Sequence, residues 1–176
     1  MQAVNKKAKA IRLVILDVDG VLTSGVIYYS NDDAIEFKGF HVHDGLAIKL
    51  LQKAGIEVAI ISAKKSRLVE RRLQELEVKH IYLGYEDKVP PYETLKQNLK
   101  LSDEEIAYMG DDLPDLPLLR RVGLAITVPQ APQIVKQLVD FTTENKAGKG
   151  AVREAVELIL HAQGLYQSVL QSYLTK

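Results

Sequence analysis

The chain has 176 residues, enough for one domain with a full core, and 47% of them are apolar and 26% charged, as in ordinary globular proteins. Lys plus Arg equals Asp plus Glu at 23 each, so no net charge favours nucleic acid or an anionic membrane as a partner. The absence of Cys excludes disulfides and thiolate chemistry, and no apolar run is long enough to span a bilayer. We expect a single cytoplasmic domain over residues 1–176.

Short apolar runs alternate with helical patterns along the chain. Strands are predicted at residues 12–16, 57–61, 80–83, 106–109 and 124–127, with an edge strand at 141–143. Helices are predicted at 46–54, 66–76, 92–99, 114–122, 132–138 and 151–163, and a tail continues to residue 176. Strands that are apolar throughout and separated by helices predict an α/β fold: a doubly wound, Rossmann-like, mainly parallel sheet with helices on both faces.

The segment at residues 26–37 breaks this alternation. Two β-type runs flank the turn formers Ser-Asn-Asp-Asp, which predicts a β-hairpin inserted between the first strand and the first helix. The hairpin carries four apolar side chains that an isolated domain would expose, and these are Val26, Ile27, Tyr28 and Ile35. Their exposure favours an interface between subunits; the alternative is that the hairpin folds back on its own domain.

Polar side chains follow the predicted strands where each strand ends. They are Asp17 and Asp19 after the first strand, Ser62 after the second, Lys88 beyond the third, and Asp111, Asp112 and Asp115 after the fourth. The carboxyl ends of parallel strands share one edge of a sheet, so these side chains should converge. Two carboxylates about 4 Å apart repel by roughly 4 kcal/mol at an effective dielectric of 20. One lysine cannot neutralise them all, so we expect a divalent cation, and an all-oxygen site suits Mg²⁺. Any single aspartate could equally be a helix cap or a turn residue.

Two of these stretches, "DVDGVLT" and "GDDLPD", with the Ser and Lys between them, resemble the four motifs of the haloacid dehalogenase superfamily of phosphatases and phosphotransferases. The resemblance extends over nearly the whole chain. It implies that Asp17 attacks phosphorus to form an aspartyl-phosphate, and that Asp19 is the general acid and base. It also implies that the side chains of Asp17 and Asp111 and the carbonyl of Asp19 hold Mg²⁺. Ser62, Ala63 and Lys88 would bind the phosphoryl group. Asp112 and Asp115 would orient Lys88 and the water molecules on the metal.

Only the hairpin and one helix fit between Asp19 and Ser62, so no cap domain covers the predicted site. The stretches "DVDGVLTSGVIYYS", "FHVHDGLAIKLLQKAGIEVAIIS" and "GKGAVREAVELILHAQG" resemble the 3-deoxy-D-manno-octulosonate 8-phosphate (KDO 8-phosphate) phosphatase family, capless enzymes of lipopolysaccharide synthesis. The resemblance implies a sugar-acid phosphate substrate and a homotetramer whose hairpins close neighbouring sites. The implied substrate contacts are His43, Asp44, Lys64, Arg67 and Arg153.

Two other functions stay open on the sequence. A phosphatase for a related nine-carbon 2-keto sugar acid phosphate, of the sialic-acid type, would need the same motifs. The chain has His43 where the family often has Arg or Lys, and Lys64 where Arg is frequent, which concerns substrate choice and not the chemistry. A non-catalytic oligomerisation module is the other alternative, but such a module would have no reason to keep the complete set of catalytic residues.

Overall fold

The computed structural model describes residues 1–28, 31 and 37–175 of the chain. Six parallel strands form one sheet in the order β3-β2-β1-β4-β5-β6. The strands are β1 (Leu13–Leu16), β2 (Glu57–Ser62), β3 (His80–Leu83), β4 (Ile106–Met109), β5 (Leu124–Thr127) and β6 (Phe141–Thr142). The helices of the described ranges are α1 (Gln2–Ala8), α2 (Val42–Lys53), α3 (Arg67–Glu75), α4 (Val89–Leu99), α5 (Leu116–Leu119), α6 (Gln133–Lys136), α7 (Ala151–Ala162) and α8 (Tyr166–Leu174).

The central strands are apolar because helices cover both faces of the sheet. Every residue of β1, β4 and β5 is buried, as a parallel sheet with two covered faces requires. The chain builds β1, β2 and β3 towards one edge and then returns to place β4 beside β1. The doubly wound parallel sheet predicted from the sequence is confirmed, and its switch point lies between β1 and β4, where such sheets bind ligands.

The helices at the two ends of the chain were not predicted. α1 precedes the first strand, and α8 occupies much of the segment for which only a tail was expected. α8 is held against α2 by Lys53, whose ammonium donates to Ser172 and lies 4.8 Å from the ring centroid of Tyr173. The tail is therefore mostly helical, and it packs on its own domain through Val169, which is buried.

Most of the predicted hairpin, residues 29–30 and 32–36, lies outside the described residues. The described residues of the predicted hairpin, 26–28, 31 and 37, belong to neither a helix nor a strand. The side chains of Val26, Ile27, Tyr28 and Phe37 are 58–64% exposed, so this part of the surface is apolar. Within the described parts of the chain, none of the helices combines the length and apolar character needed to cross a bilayer.

Candidate active site

Asp17 stands directly after β1 and is fixed by the sheet itself. Its backbone N–H donates to the carbonyl of Met109 at 3.0 Å, which continues the pairing with β4. The chain then turns sharply, with Gly20 at φ +89°. A Cβ at this position would lie 2.1 Å from Oδ2 of Asp111, so the turn requires glycine both for its conformation and for the approach of that carboxylate. The turn thus lets the carboxylate of Asp111, after β4, approach the backbone that follows β1.

Lys88 and Asp115 form the buried centre of the site. The ammonium of Lys88 lies 2.9 Å from Oδ1 of Asp17 and 2.6 Å from Oδ1 of Asp115. The other oxygen of Asp115 accepts the backbone N–H groups of Asp111 and Asp112 at 2.8 and 3.1 Å. Asp115 therefore fixes both the lysine and the loop that follows β4.

The excess of carboxylates changes the proton affinities of the site. Burial raises the pKa of Asp17 from 3.8 to about 6, against the opposing effect of Lys88. Burial, followed by the repulsion of Asp17 and Asp115, raises the pKa of Asp111 to about 7. Burial acts to lower the pKa of Lys88, but Asp17 and Asp115 outweigh it and hold that pKa above its usual value. A bound cation would reduce the repulsion between the ionised carboxylates and so stabilise their charged form.

The donor set fits a magnesium ion. Asp17, Asp111 and Asp115 each offer a carboxylate oxygen within 4.8 Å of the others. Asp115 already accepts four donors, from Lys88, the hydroxyl of Tyr108 and two backbone N–H groups, so Asp17 and Asp111 are the better side-chain ligands. Oxygen ligands with excess negative charge are what Mg²⁺ prefers. The role of the Asp19 carbonyl as a further ligand stays a prediction.

A pocket of about 320 Å³ opens at this edge of the sheet, a volume that suits a small molecule. Most of the residues predicted to act in the site line it. The lining consists of Asp17, Asp19, Gly25, Ser62, Ala63, Lys64, Lys88, Asp111, Asp112, Pro114 and Asp115. Ser62 ends β2, and its carbonyl accepts the N–H groups of Gly84 and Tyr85 after β3, so this loop too is anchored to the sheet.

Four of the predicted substrate contacts are not brought to this pocket. Asp44 is 1% exposed, and its carboxylate accepts the N–H groups of Gly150 and Arg153 at 3.1 and 2.9 Å, so it caps α7. Burial raises the pKa of Asp44, and these backbone N–H groups oppose the effect. The guanidinium of Arg153 lies 2.6 Å from Glu157. Arg67 lines a separate cavity beside α3, and the ring of His43 packs edge-on against another histidine.

Two residues that contact the site were not singled out from the sequence. Lys38 forms an ion pair with Oδ1 of Asp19, and its side chain is only 16% exposed. The hydroxyl of Tyr108 contacts Lys88 and Asp115. Lys38 lies beyond the predicted hairpin, and Tyr108 has the position of an ordinary core aromatic in β4. Neither residue could therefore be recognised from the sequence as one that contacts the site.

Known proteins define the class to which this fold and site belong. A family model described as haloacid dehalogenase-like hydrolase matches residues 86–156, the segment that contains Lys88 and Asp111 to Asp115. Because relatives that cover most of the chain agree with this match, the chain is a haloacid dehalogenase-like hydrolase. It is also 44% identical over 158 residues to the 3-deoxy-D-manno-octulosonate 8-phosphate phosphatase KdsC of Escherichia coli K12, covering 90% of this chain and 84% of that one. The chain belongs to the family of 3-deoxy-D-manno-octulosonate 8-phosphate phosphatases.

Two solved structures from this family resemble the fold closely. The phosphatase of Moraxella catarrhalis, in complex with magnesium, phosphate and KDO, is 39% identical with a TM-score of 0.94, covering 98% of this chain and 99% of that chain. The cobalt-bound phosphatase of Haemophilus influenzae is 42% identical with a TM-score of 0.85, covering 90% of this chain and 92% of that chain. Both are metal complexes, in agreement with the carboxylate cluster described above.

Proposed function

We propose that this protein hydrolyses KDO 8-phosphate to KDO and inorganic phosphate, as a step of lipopolysaccharide synthesis. The observation that carries the chemistry is the buried pair of Asp17 and Lys88, 2.9 Å apart. It combines an anionic nucleophile with a cation that can neutralise an incoming phosphoryl group. The choice of substrate is supported by the 44% identity to the E. coli phosphatase and by the KDO bound in the M. catarrhalis relative.

In the first half-reaction, an oxygen of Asp17 bonds to phosphorus while the bond from phosphorus to the sugar oxygen breaks. Asp19 gives its proton to that sugar oxygen, so the sugar leaves as an alcohol and the phosphoryl group stays on Asp17. Lys88 donates to the phosphoryl oxygens, and Asp115 holds it in position from the opposite side, 2.6 Å away. Covalent catalysis of this kind divides one difficult displacement into two.

In the second half-reaction, a water molecule replaces the sugar. The ionised Asp19 takes a proton from water, the water oxygen bonds to phosphorus, and the bond from phosphorus to Asp17 breaks. Inorganic phosphate leaves, and the proton on Asp19 is ready for the next substrate. Lys38 forms an ion pair with Asp19, so it can hold the Asp19 carboxylate in position between the two half-reactions.

Asp17 and Asp111, with the backbone carbonyl of Asp19, would hold Mg²⁺. When bound, this ion neutralises negative charge on the nucleophile and on the phosphoryl oxygens. Ser62 and the N–H of Ala63 would bind the phosphoryl group from the loop after β2. Lys64 is a second cation on the pocket lining, and we assign it to the sugar carboxylate; contacts from His43, Arg67 and Arg153 stay predictions.

We also propose that the protein is a homotetramer in which neighbouring subunits close the pocket. Support comes from the exposed Val26, Ile27, Tyr28 and Phe37, which belong to the predicted hairpin, since exposed apolar patches often mark interfaces. Gly25, one residue before this patch, lines the pocket. Light scattering should give four chains per particle; a monomer would contradict the proposal. The cytoplasmic location stays a prediction.

The substrate is tested by phosphate release from a panel: KDO 8-phosphate, a nine-carbon 2-keto sugar acid 9-phosphate and p-nitrophenyl phosphate, each with and without Mg²⁺. We expect the highest kcat/KM for KDO 8-phosphate and no turnover after treatment with EDTA. A higher kcat/KM for the nine-carbon ester would overturn the substrate while leaving the reaction class intact. Release from none of the three esters would favour a non-catalytic module.

A further inference from the structure

The mechanism above does not use one buried polar group that touches it, the hydroxyl of Tyr108. Tyr108 is in the middle of β4, and its side chain is fully buried. Its oxygen lies 3.1 Å from the ammonium of Lys88 and 2.5 Å from Oδ1 of Asp115. A buried hydroxyl needs such partners, but phenylalanine would fill the same apolar space without them.

The hydrogen-bond donors and acceptors of this cluster are fully matched. The ammonium of Lys88 has three N–H donors, and its three neighbouring acceptors are Asp17, Asp115 and Tyr108. Burial raises the pKa of Tyr108 well above its usual value, so the hydroxyl keeps its proton and donates it to Asp115. Lys88, Tyr108 and Asp115 therefore close a triangle of hydrogen bonds, with Asp17 attached at one corner.

Without the hydroxyl, the triangle would become a simple ion pair. Oδ1 of Asp115 would lose its neutral donor and would attract Lys88 more strongly. Lys88 would also lose the contact that holds it from a third direction, so its ammonium could move towards Asp115 and away from Asp17. A misplacement of about 1 Å near reacting atoms can cost on the order of 100-fold in rate.

We propose that Tyr108 is a positioning residue, whose hydroxyl keeps the ammonium of Lys88 midway between Asp115 and the nucleophile Asp17. This inference rests on the proposed function, because Lys88 must bind the transferring phosphoryl group. Loss of the hydroxyl should weaken binding of the transition state more than binding of the substrate. Several groups bind the substrate, whereas stabilisation of the charge that develops in the transition state depends on the exact position of Lys88. Tyr108 itself touches no reacting atom.

The test is Tyr108→Phe, compared with Tyr92→Phe as the matched control. Tyr92 is also fully buried, and its hydroxyl also donates to an aspartate, Asp103, at 2.5 Å. Asp103 does not line the pocket, whereas Asp115, the partner of Tyr108, does. We expect Tyr108→Phe to lower kcat about 10-fold with KM changed less than about 3-fold, the pattern of an interaction made only in the transition state. Inhibition by orthovanadate, which adopts the five-coordinate geometry of the transferring group, should weaken in parallel.

Tyr92→Phe should lose thermal stability to a similar degree and keep kcat. The inference is overturned if Tyr108→Phe retains kcat within about 2-fold, or if both variants lose kcat equally. If Tyr108→Phe does not fold, Tyr108→Leu takes its place; failure of both to fold would make the hydroxyl a requirement for folding and would also overturn the inference.

The same comparison separates this inference from the choice of substrate. If the wild-type protein hydrolyses p-nitrophenyl phosphate but not KDO 8-phosphate, the proposed substrate is wrong, and the two tyrosine variants are compared on the aryl ester. If the wild-type protein hydrolyses neither ester, the proposed reaction and the role of Tyr108 are both wrong.

Discussion

Two parts of the molecule join a lysine, a buried tyrosine and an aspartate by short hydrogen bonds, and only one of them contributes to the lining of the pocket described above. The surface cluster consists of Tyr92, Glu93, Lys96, Asp103 and Arg121. Lys96 lies 2.8 Å from Oδ1 of Asp103, and Arg121 lies 2.5 Å from Glu93. The hydrogen bond from Arg121 lowers the pKa of Glu93. Burial opposes a low pKa for Asp103, but the hydrogen bonds from Lys96 and Tyr92 outweigh it and lower the pKa.

The buried cluster consists of Asp17, Lys88, Tyr108, Asp111 and Asp115 and has the same kinds of contact. It differs in charge, because three carboxylates share one lysine, whereas the surface cluster has two acids and two bases. As a result the pKa values of Asp17 and Asp111 are raised to about 6 and about 7. A balanced cluster stabilises the fold by itself. In an unbalanced, buried cluster, protonation of a carboxylate or a bound cation relieves the excess charge, and this imbalance is typical of a functional site.

Removing Asp17, the proposed nucleophile, should give the largest difference between the clusters. We expect Asp17→Asn to fold and to lose turnover by about 10⁴-fold or more, because an amide oxygen does not form the aspartyl-phosphate. Phosphate release and thermal unfolding measure the two properties. Asp103→Asn in the surface cluster is the control and should keep turnover. Near wild-type activity of Asp17→Asn would refute the mechanism.

Removing the lysine of each cluster should lower the free energy of unfolding by different amounts. Lys88→Met leaves two buried carboxylates without their cation, which typically costs about 3–5 kcal/mol. Lys96→Met breaks a pair at the surface, where side chains are partly exposed, and such pairs contribute up to about 1 kcal/mol. Urea unfolding with EDTA present measures both. Equal losses would show that charge imbalance and burial do not distinguish the clusters.

Removing the metal should make stability depend on pH. A carboxyl group with a raised pKa in the folded state stabilises the protein at low pH, and this contribution is lost as pH rises from about 4 through the folded values of about 6 and about 7. With EDTA, we therefore expect the unfolding temperature to fall between pH 5 and pH 8. The rise of the Asp17 pKa from 3.8 to about 6 corresponds by itself to about 3 kcal/mol, and the rise of the Asp111 pKa adds to it.

Mg²⁺ should oppose this loss of stability at high pH, because it binds the ionised carboxylates. The increase in unfolding temperature on adding Mg²⁺ should be larger at pH 8 than at pH 5.5. Asp111→Asn removes one of the two titrating groups and should flatten the pH dependence in EDTA. An increase of equal size at both pH values would argue against a site formed by these carboxylates.

The sequence was sufficient for the sheet because its strands are short apolar runs, which are buried throughout in β1, β4 and β5 and half-buried in β3. Such runs need no distant partner to be recognised. β3, β4 and β5 have the predicted bounds. α1 and α8 are different, since each is stabilised by distant parts of the chain. α8 depends on Lys53, which contacts Ser172 across 119 residues of sequence. A local pattern contains no information about such a contact.

Residues of the site could be predicted where a local pattern marks them, and could not where their role depends on a distant contact. Asp17 and Asp111 follow apolar strands, so the position of each in the sequence already indicates the shared edge. Asp44 looks like an exposed residue in the first turn of a helix, but it is buried because its partner is the start of α7, 106 residues away. Tyr108 has the pattern of a core aromatic, and only the packing of β4 against Lys88 shows what its hydroxyl does.

The smallest effect concerns Lys38, the partner of Asp19. The side chains of this pair are 16% and 31% exposed, and partly exposed pairs contribute about 1 kcal/mol, which corresponds to about 5-fold in rate. We expect Lys38→Ala to lower kcat by about that factor, and Lys38→Arg to restore part of the loss because it keeps the charge. The control is Lys7→Ala, which breaks a pair with Asp140 away from the pocket and should leave kcat unchanged. If all three variants have the kcat of the wild type, the contact with Asp19 does not contribute to the reaction, and the electrostatics of the acid and base depend on the buried cluster alone.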